Sequence, residues 1–298
     1  MVGTIEINGT GAILEGNLGT AAVNVNTDPV YGHWDNVDDN VYFNTSDNDL
    51  DDMWAGNGGC ASAWIYPKGD GEDGSGRIFD KGNVWRLYIY GESNGYAKLY
   101  FRVSFDGSPN HKEWNPTDNS GYVIPYNSWT HVAVVYDSDT VSSEAIIYLN
   151  GVAQTTNDPT DAGGSYSGDG DYNLNVGNRS NGSATWDGYI MDAKIYKNVA
   201  VTADQVAGMA KKINVDKDDP NLPTSGLQAW WKFNASTTAD SSGNSNNLTV
   251  GTALSSPVYD AFSVAVQDNS TTTDGAVTVT QGKLEGLGLT SLDFSGTD

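Results

Sequence analysis

Apolar and polar residues alternate with a period of two through much of this chain. The clearest cases are Val84-Trp85-Arg86-Leu87-Tyr88-Ile89-Tyr90 and Ala97-Lys98-Leu99-Tyr100-Phe101-Arg102-Val103. A period of two puts one set of side chains on each face of a strand, so each of these has a buried and a wet face. The run from Ser128 to Asp137 differs. Thr130, Val132, Val134 and Tyr136 share one face, Trp129, His131, Ala133 and Val135 the other, and both faces are largely apolar. That predicts a central strand, in which His131 is a paired framework histidine rather than a catalytic base. Cys60 to Pro67, Ala145 to Leu149, Tyr172 to Gly177 and Trp186 to Tyr196 add short runs rich in β-branched and aromatic residues, bounded by Gly, Asn, Asp or Ser. Asn150-Gly151 between two such runs is a hairpin signal.

Between the strands, 107–127 is read as a long loop holding Trp114, Tyr122 and Tyr126, and 160–171 as an acidic, Gly-rich loop. One helix is expected, from about Ala203 to Lys212. Thr202 is its N-cap and Gln205 completes a capping box, with Val206, Met209, Ala210 and Ile213 on one face. Residues 216–225, with two prolines, read as a linker. Beyond it the strand pattern restarts with Gly226 to Asn234, then a turn at Asp240 to Asn247, then short pieces at Val264–Val266 and Ala276–Val279. Residues 1–30 hold only brief alternations, Thr4 to Ile7, Ala12 to Glu15 and Ala22 to Asn26, and are read as an arm or assembly segment.

The fold class expected is therefore all-β, an antiparallel β-sandwich with one short helix. Trp129-Thr130-His131-Val132-Ala133, Tyr148-Leu149-Asn150-Gly151, the stretch from Asp187 to Tyr196 and the capped helix resemble the laminin-G-like, concanavalin-A-like jelly-roll superfamily over roughly 31–213. The resemblance implies a jelly roll, mostly in non-catalytic binders of glycans or proteins, many of which hold one calcium ion. It also exposes an unusual order. Ala229-Trp230-Trp231-Lys232-Phe233, the Asp-Ser-Ser-Gly-Asn turn and Leu292 to Asp298 look like pieces that open such a domain, yet they stand at the C-terminal end. The organisation expected is an arm at 1–30, a jelly roll at 31–215, a linker at 216–225, and strands within 226–298 that complete the sandwich of this chain or of a neighbouring copy.

Composition narrows the chemistry. Hydrophobic residues make up only 38%, but 9 Trp and 16 Tyr supply bulky burial. The formal net charge is −23, and of 38 acidic residues only seven are Glu. Asp favours turns, and such a surface repels phosphates, which argues against nucleic acid. Cys60 is the single cysteine, so no internal disulfide exists, and its apolar neighbours make it packing rather than a nucleophile. No apolar run approaches a membrane span, so no membrane insertion is expected, and no leader pattern opens the chain.

The candidate site residues follow from the loops. Trp114, Tyr122, Tyr126, Tyr166 and Trp186 lie in or beside polar loops and are candidates to stack on a sugar. Asp137 and Asp139 in one loop, and Asp169 and Asp171 in another, are candidates for calcium, which prefers carboxylate and carbonyl oxygens. No Ser/His/Asp set or zinc-type cluster is visible, and no two glutamates are close in sequence as paired glycosidase carboxylates would be. The leading expectation is a non-catalytic structural or adhesive protein of a phage virion surface, made in the host cytoplasm. Its partners would be other virion proteins or copies of itself, and a cell-surface glycan. The alternatives are an extracellular calcium-dependent carbohydrate-binding module and, less favoured, a glycoside hydrolase.

Overall fold

The computed structural model describes residues 30–37, 39, 41–44, 48–82, 84–211, 222–233 and 238–251, together with the backbone of four outlying strands. In chain order the strands are β1 (Thr4–Ile7), β2 (Val23–Val25), β3 (Val30–Asp35), β4 (Val41–Phe43), β5 (Gly59–Pro67), β6 (Arg77–Lys81), β7 (Trp85–Ser93), β8 (Tyr96–Ser104), β9 (His111–Trp114) and β10 (Tyr122–Pro125). There follow β11 (Thr130–Tyr136), β12 (Ile146–Leu149), β13 (Val152–Ala153), β14 (Leu174–Val176), β15 (Asp187–Lys197), β16 (Leu227–Trp231), β17 (Thr249–Val250), β18 (Val258–Ala261) and β19 (Asp293–Ser295). The helix among the described residues is α1 (Ala203–Lys211). The chain divides into two compact units, Tyr31–Tyr259 and a second made of Met1–Val30 with Asp260–Asp298. In the second unit β1 pairs antiparallel with β19 and parallel with β2.

The first unit is an antiparallel sandwich, as the alternation predicts. One sheet runs β10-β8-β7-β6-β14-β4-β17 with β9 also on β8. The other runs β13-β12-β11-β5-β15-β3-β18 with β16 also on β15. Between them, Trp34, Trp54, Trp85, Trp114, Trp186 and Trp231 are fully buried with Leu87, Ile89, Leu99 and Phe101. Trp54 meets Trp85 and Phe101 edge-on, at 5.1 and 5.0 Å between ring centres. Aromatics bury on the order of 150–250 Å² each, so a few of them build a core from a chain this polar.

The long strand β15 explains the odd order of the sequence. β5 lines one of its edges throughout. β3 takes the first half of the other edge, Asp187 to Ile190, and β16 takes the second half, Ala193 to Tyr196. Thus the Trp-rich strand pairs within its own chain. Alternation then sends Trp231 inward beside Ala193 and Trp230 outward beside Lys194. The Asp240 turn fastens this strand. Its carboxylate accepts hydrogen bonds from the backbone N–H groups of Trp230, Ser242 and Asn246 and from the Ser242 hydroxyl.

Several local expectations hold. Thr202 and Gln205 form the reciprocal capping box, at 3.3 and 2.9 Å, and Val206 and Met209 are buried. Asn150 and Gly151 both take positive φ, 49° and 80°, as a primed two-residue turn requires. One expectation is corrected: 107–127 is not a bare loop but contains β9 and β10, which share the outer edge of β8. Each is four residues long, too short for a period to register. The pieces expected at Ala12–Glu15, Val264–Val266 and Ala276–Val279, and Ile213 of the helix face, lie outside the described residues.

The outer face of the second sheet carries α1 over Cys60, Ala133, Tyr148 and Tyr196. Burial raises the Cys60 thiol to about 12, with Lys194 opposing, so it stays protonated and inert. His131 is buried beside Trp64, at 5.5 Å, and burial together with the Lys194 charge lowers it to about 3. Its folded value lies below the unfolded value of 6.5, so its contribution is fully present above that pH. It is lost as pH falls from 6.5 toward 3, because only the unfolded chain then takes up the proton. At about 1.4 kcal/mol per unit, a loss on the order of 2–3 kcal/mol is expected between pH 7.5 and 4.5. His131→Phe is expected to keep the ring contact and remove that part of the acid sensitivity. Urea midpoints of both proteins at the two pH values measure it; equal acid losses in the two would refute the assignment.

Candidate functional site

The polar faces of β6 to β10 build one continuous surface. In β7 and β8, Leu87, Ile89, Leu99, Phe101 and Val103 enter the core, so Arg86, Tyr88, Tyr90, Lys98, Tyr100 and Arg102 point outward. A bulge in β6 brings Arg77 and Asp80, three residues apart, to that same side while Ile78 and Phe79 both turn inward. Cross-strand register then sets three rows. Asp80, Arg86, Arg102 and Glu113 form the first. Arg77, Tyr88 and Tyr100 form the second, and Tyr90, Lys98 and Tyr122 the third. Rows repeat about every 7 Å along a strand and strands lie about 4.8 Å apart, so the surface has room for a short oligosaccharide.

Its side chains hold one another in place. Tyr88 stacks on Tyr100, at 5.4 Å and 22° between ring planes, while the Arg77 guanidinium lies 4.5 Å from the centre of the Tyr88 ring. The Tyr88 hydroxyl donates to Glu113 at 2.8 Å, and Arg102 stands 4.0 Å from the same carboxylate oxygen. Burial first, and then the Glu113 charge, raise the Tyr88 hydroxyl, so it remains a donor. Arg77 pairs with Asp80 at 3.1 Å. Burial lifts Asp80 to about 6, opposed by the charges of Arg77, Arg86 and Arg179. Burial, and next the Arg102 charge, lower His111, which leaves it neutral at pH 7. Tyr90 is 54% exposed and meets Tyr100 edge-on at 6.3 Å. The Lys98 ammonium sits 4.8 Å over Tyr122.

Of the stacking residues expected from sequence, Tyr122 alone belongs to this surface. Trp114 and Trp186 are wholly buried, a correction: a plugged ring has no face left for a sugar. Tyr166 packs on the core, and its hydroxyl donates to Asp169 at 2.7 Å. Tyr126 also packs on the core, and its hydroxyl is buried.

The calcium expectation does not fit either. The Asp169 carboxylate is buried and occupied by the Asp52 backbone N–H, the Trp85 indole N–H, the Tyr166 hydroxyl and the Lys81 ammonium. Asp171 is exposed beyond it. Asp137 accepts from the Asp139 backbone N–H within its turn, and Asp139 accepts from the backbone N–H of Gly56 in a distant loop. Among the described residues no three His, Cys, Asp or Glu side chains gather as a metal would need.

A second row of rings, His33, Tyr189, Tyr66 and Trp129, crosses the outer face of the other sheet. Its rings tilt into one another, and Lys68 covers Tyr189 at 4.4 Å, so it offers fewer free polar groups.

A two-sheet jelly roll presenting aromatic and hydrogen-bonding side chains on a sheet face is the architecture of lectin-like domains. The chain belongs to the family Laminin_G_3, described as the concanavalin A-like lectin/glucanases superfamily, which matches residues 20–207. No curated protein matches it. Among solved structures it is similar to a heptameric SAP-like pentraxin from Limulus polyphemus (18% identity, 76% of this chain and 96% of that one, TM-score 0.48). It is also similar to a candidate carbohydrate binding protein from Bacteroides ovatus (18%, 83% and 68%, TM-score 0.47). The enzymatically active domain of tailspike protein 2 of bacteriophage CBA120 resembles it more distantly (14%, 76% and 34%, TM-score 0.43). At these identities the likeness is one of fold.

Proposed function

We propose that this protein is a non-catalytic saccharide-binding module and that the tyrosine–arginine face of the first sheet is its binding surface. The observation that carries this reading is the row structure itself. Tyr90, Tyr100 and Tyr122 present ring edges and faces for the apolar side of a sugar, and Arg86, Arg102, Lys98 and Glu113 stand between them to meet its hydroxyl groups. Spacing supports the non-catalytic reading of this face. Asp80 and Glu113 share a row but lie three strands apart, about 14 Å, with Arg86 and Arg102 between them. Glycosidase carboxyl groups need a separation of roughly 5–9.5 Å. Binding is expected to survive EDTA, because the surface offers arginine, lysine and tyrosine groups rather than a carboxylate cage.

A glycan array run with and without EDTA tests this. Tyr90→Ala, at the most exposed ring, is expected to weaken the best hit by about tenfold, roughly what one ring contact contributes. No bound glycan under either condition, or full affinity in Tyr90→Ala, would count against the surface.

A second reading concerns where the module works: as an adhesive component of a phage particle, joined to other virion proteins or to copies of itself. The pairing of β1 with β19 in a compact unit distinct from the sandwich favours it, since that unit is an element separate from the saccharide face. Cryo-EM of intact particles tests it; a strictly monomeric protein absent from every particle argues the other way.

A further inference from the structure

The chain carries a formal charge of −23 and contains four arginines, Arg77, Arg86, Arg102 and Arg179. All four stand together. Arg77, Arg86 and Arg102 lie on the surface just described, and Arg179, in the turn after β14, is near enough for its charge to act on Arg77 and Asp80. Lys98 stands in the same set of rows, and the carboxylates whose charges act on Arg77 and Arg102 are Asp80 and Glu113. In the first two rows three arginines, Arg77, Arg86 and Arg102, stand against two carboxylates, Asp80 and Glu113, on a protein that is otherwise strongly acidic.

The arrangement has a cost. Arg86 and Arg102 are direct cross-strand partners, and like charges placed opposite each other destabilise a sheet. Asp80 and Glu113 stand at the ends of that row rather than between the two arginines. Asp80 is engaged by Arg77 at 3.1 Å, and Glu113 receives the Tyr88 hydroxyl at 2.8 Å. The Arg86 Nε is buried without a hydrogen-bond partner. A guanidinium pair held side by side, short of acceptors and next to exposed tyrosines, matches a planar anion carried on a sugar.

Resting on the saccharide reading above, we infer that the ligand is an acidic saccharide whose carboxylate is received between Arg86 and Arg102, with a neighbouring ring against Tyr90 and Tyr100. Uronic acid units have this chemistry. Nucleic acid is disfavoured because the remaining surface repels a long phosphate chain.

Titration calorimetry on the full chain tests it, with tetramers of galacturonate, mannuronate and glucuronate, their methyl esters and a sulfated neutral tetrasaccharide as probes. The esters keep the shape and remove the charge. One free acid is expected to bind at least about tenfold better than its ester. Arg86→Gln and Arg102→Gln are each expected to lose affinity for the free acid by a larger factor than for its ester, so that most of the preference disappears. Equal binding of acid and ester, or binding of the sulfated sugar alone, overturns the carboxylate assignment and leaves the saccharide reading standing. Binding of no saccharide, charged or neutral, overturns both. If either glutamine variant folds poorly, Arg86→Lys serves in its place, since it keeps the charge but not the fork; unchanged acid preference there would also refute the inference.

Discussion

Replacing Asp169 by alanine is expected to destabilise the sandwich by about 3–5 kcal/mol, the usual cost of breaking a buried ion pair from one side. Lys81, whose side chain is 1% exposed, would lose one of its two carboxylates and keep Asp51, at 2.7 Å. The Trp85 indole N–H at 3.1 Å, the Tyr166 hydroxyl at 2.7 Å and the Asp52 backbone N–H at 2.7 Å would be orphaned together. Each buried donor left unpaired costs on the order of 1–3 kcal/mol, and only the retained Asp51 contact keeps the total from running higher. Domains are stable by roughly 5–15 kcal/mol, so a large share of the margin is at stake. Urea unfolding of the variant measures it. A loss under about 1 kcal/mol would mean that these donors find water instead.

Asp192→Ala is expected to cost a similar amount, about 3–5 kcal/mol, by loosening β16 from β15. Asp192 sits in the β15 bulge with φ of 55°. Its carboxylate accepts from the Trp230 indole N–H and pairs with Lys194, each at 2.6 Å. Trp230 is further held between two ammonium groups, Lys194 at 4.8 Å and Lys232 at 4.2 Å from its ring centre. Without Asp192, Lys194 remains as a buried charge with no counter-ion. Burial already lowers the Lys194 ammonium and Asp192 opposes that, so its removal lowers it further. The sign follows: a lysine lowered in the fold stabilises most when neutral, so the variant should regain stability as pH rises toward the ordinary lysine range. Adding Lys194→Met should restore much of the loss at neutral pH, because the stranded charge is then gone. Denaturation midpoints of the single and double variants against pH check both statements. A single variant within about 0.5 kcal/mol of the parent would show the bridge to be energetically idle.

The sandwich was legible because a period of two is a local property. Val84 to Tyr90 and Ala97 to Val103 declare two faces by themselves, and Asn150-Gly151 declares a hairpin. The capping box at Thr202 and Gln205 is likewise complete within four residues. The functional surface was less legible. The same alternation that buries Leu87 and Phe101 presents Arg86, Tyr88, Tyr100 and Arg102 as a wet face, and a wet face alone says nothing of ligands. The available signal was that a chain with four arginines spends two of them there, on strands separated by one tight turn. Arg77 needed a bulge to join them, and Arg179 the turn that follows the neighbouring strand β14, neither of which a period reveals. The loop aromatics misled for a related reason. Trp114 and Trp186 sit among polar neighbours in sequence, but an edge strand and a turn fold those neighbours outward and the rings inward.

By itself, then, the order of residues determined the layers: two antiparallel faces, a capped helix, and a core made of tryptophan in a polar, acidic chain. Those follow from periodicity, turn chemistry and composition, which act over a few residues at a time. Only the tertiary structure decided that Trp230 and Trp231 complete the sheet of their own chain, and that Asp169 is a buried hub rather than a metal ligand. Only it brought four arginines of an acidic protein to one place. These outcomes depend on which strands become neighbours, and neighbours such as Lys194 and Trp230, or Lys81 and Asp169, lie tens of residues apart in the chain. Pairing at that distance is set by how the whole core packs, not by any local pattern.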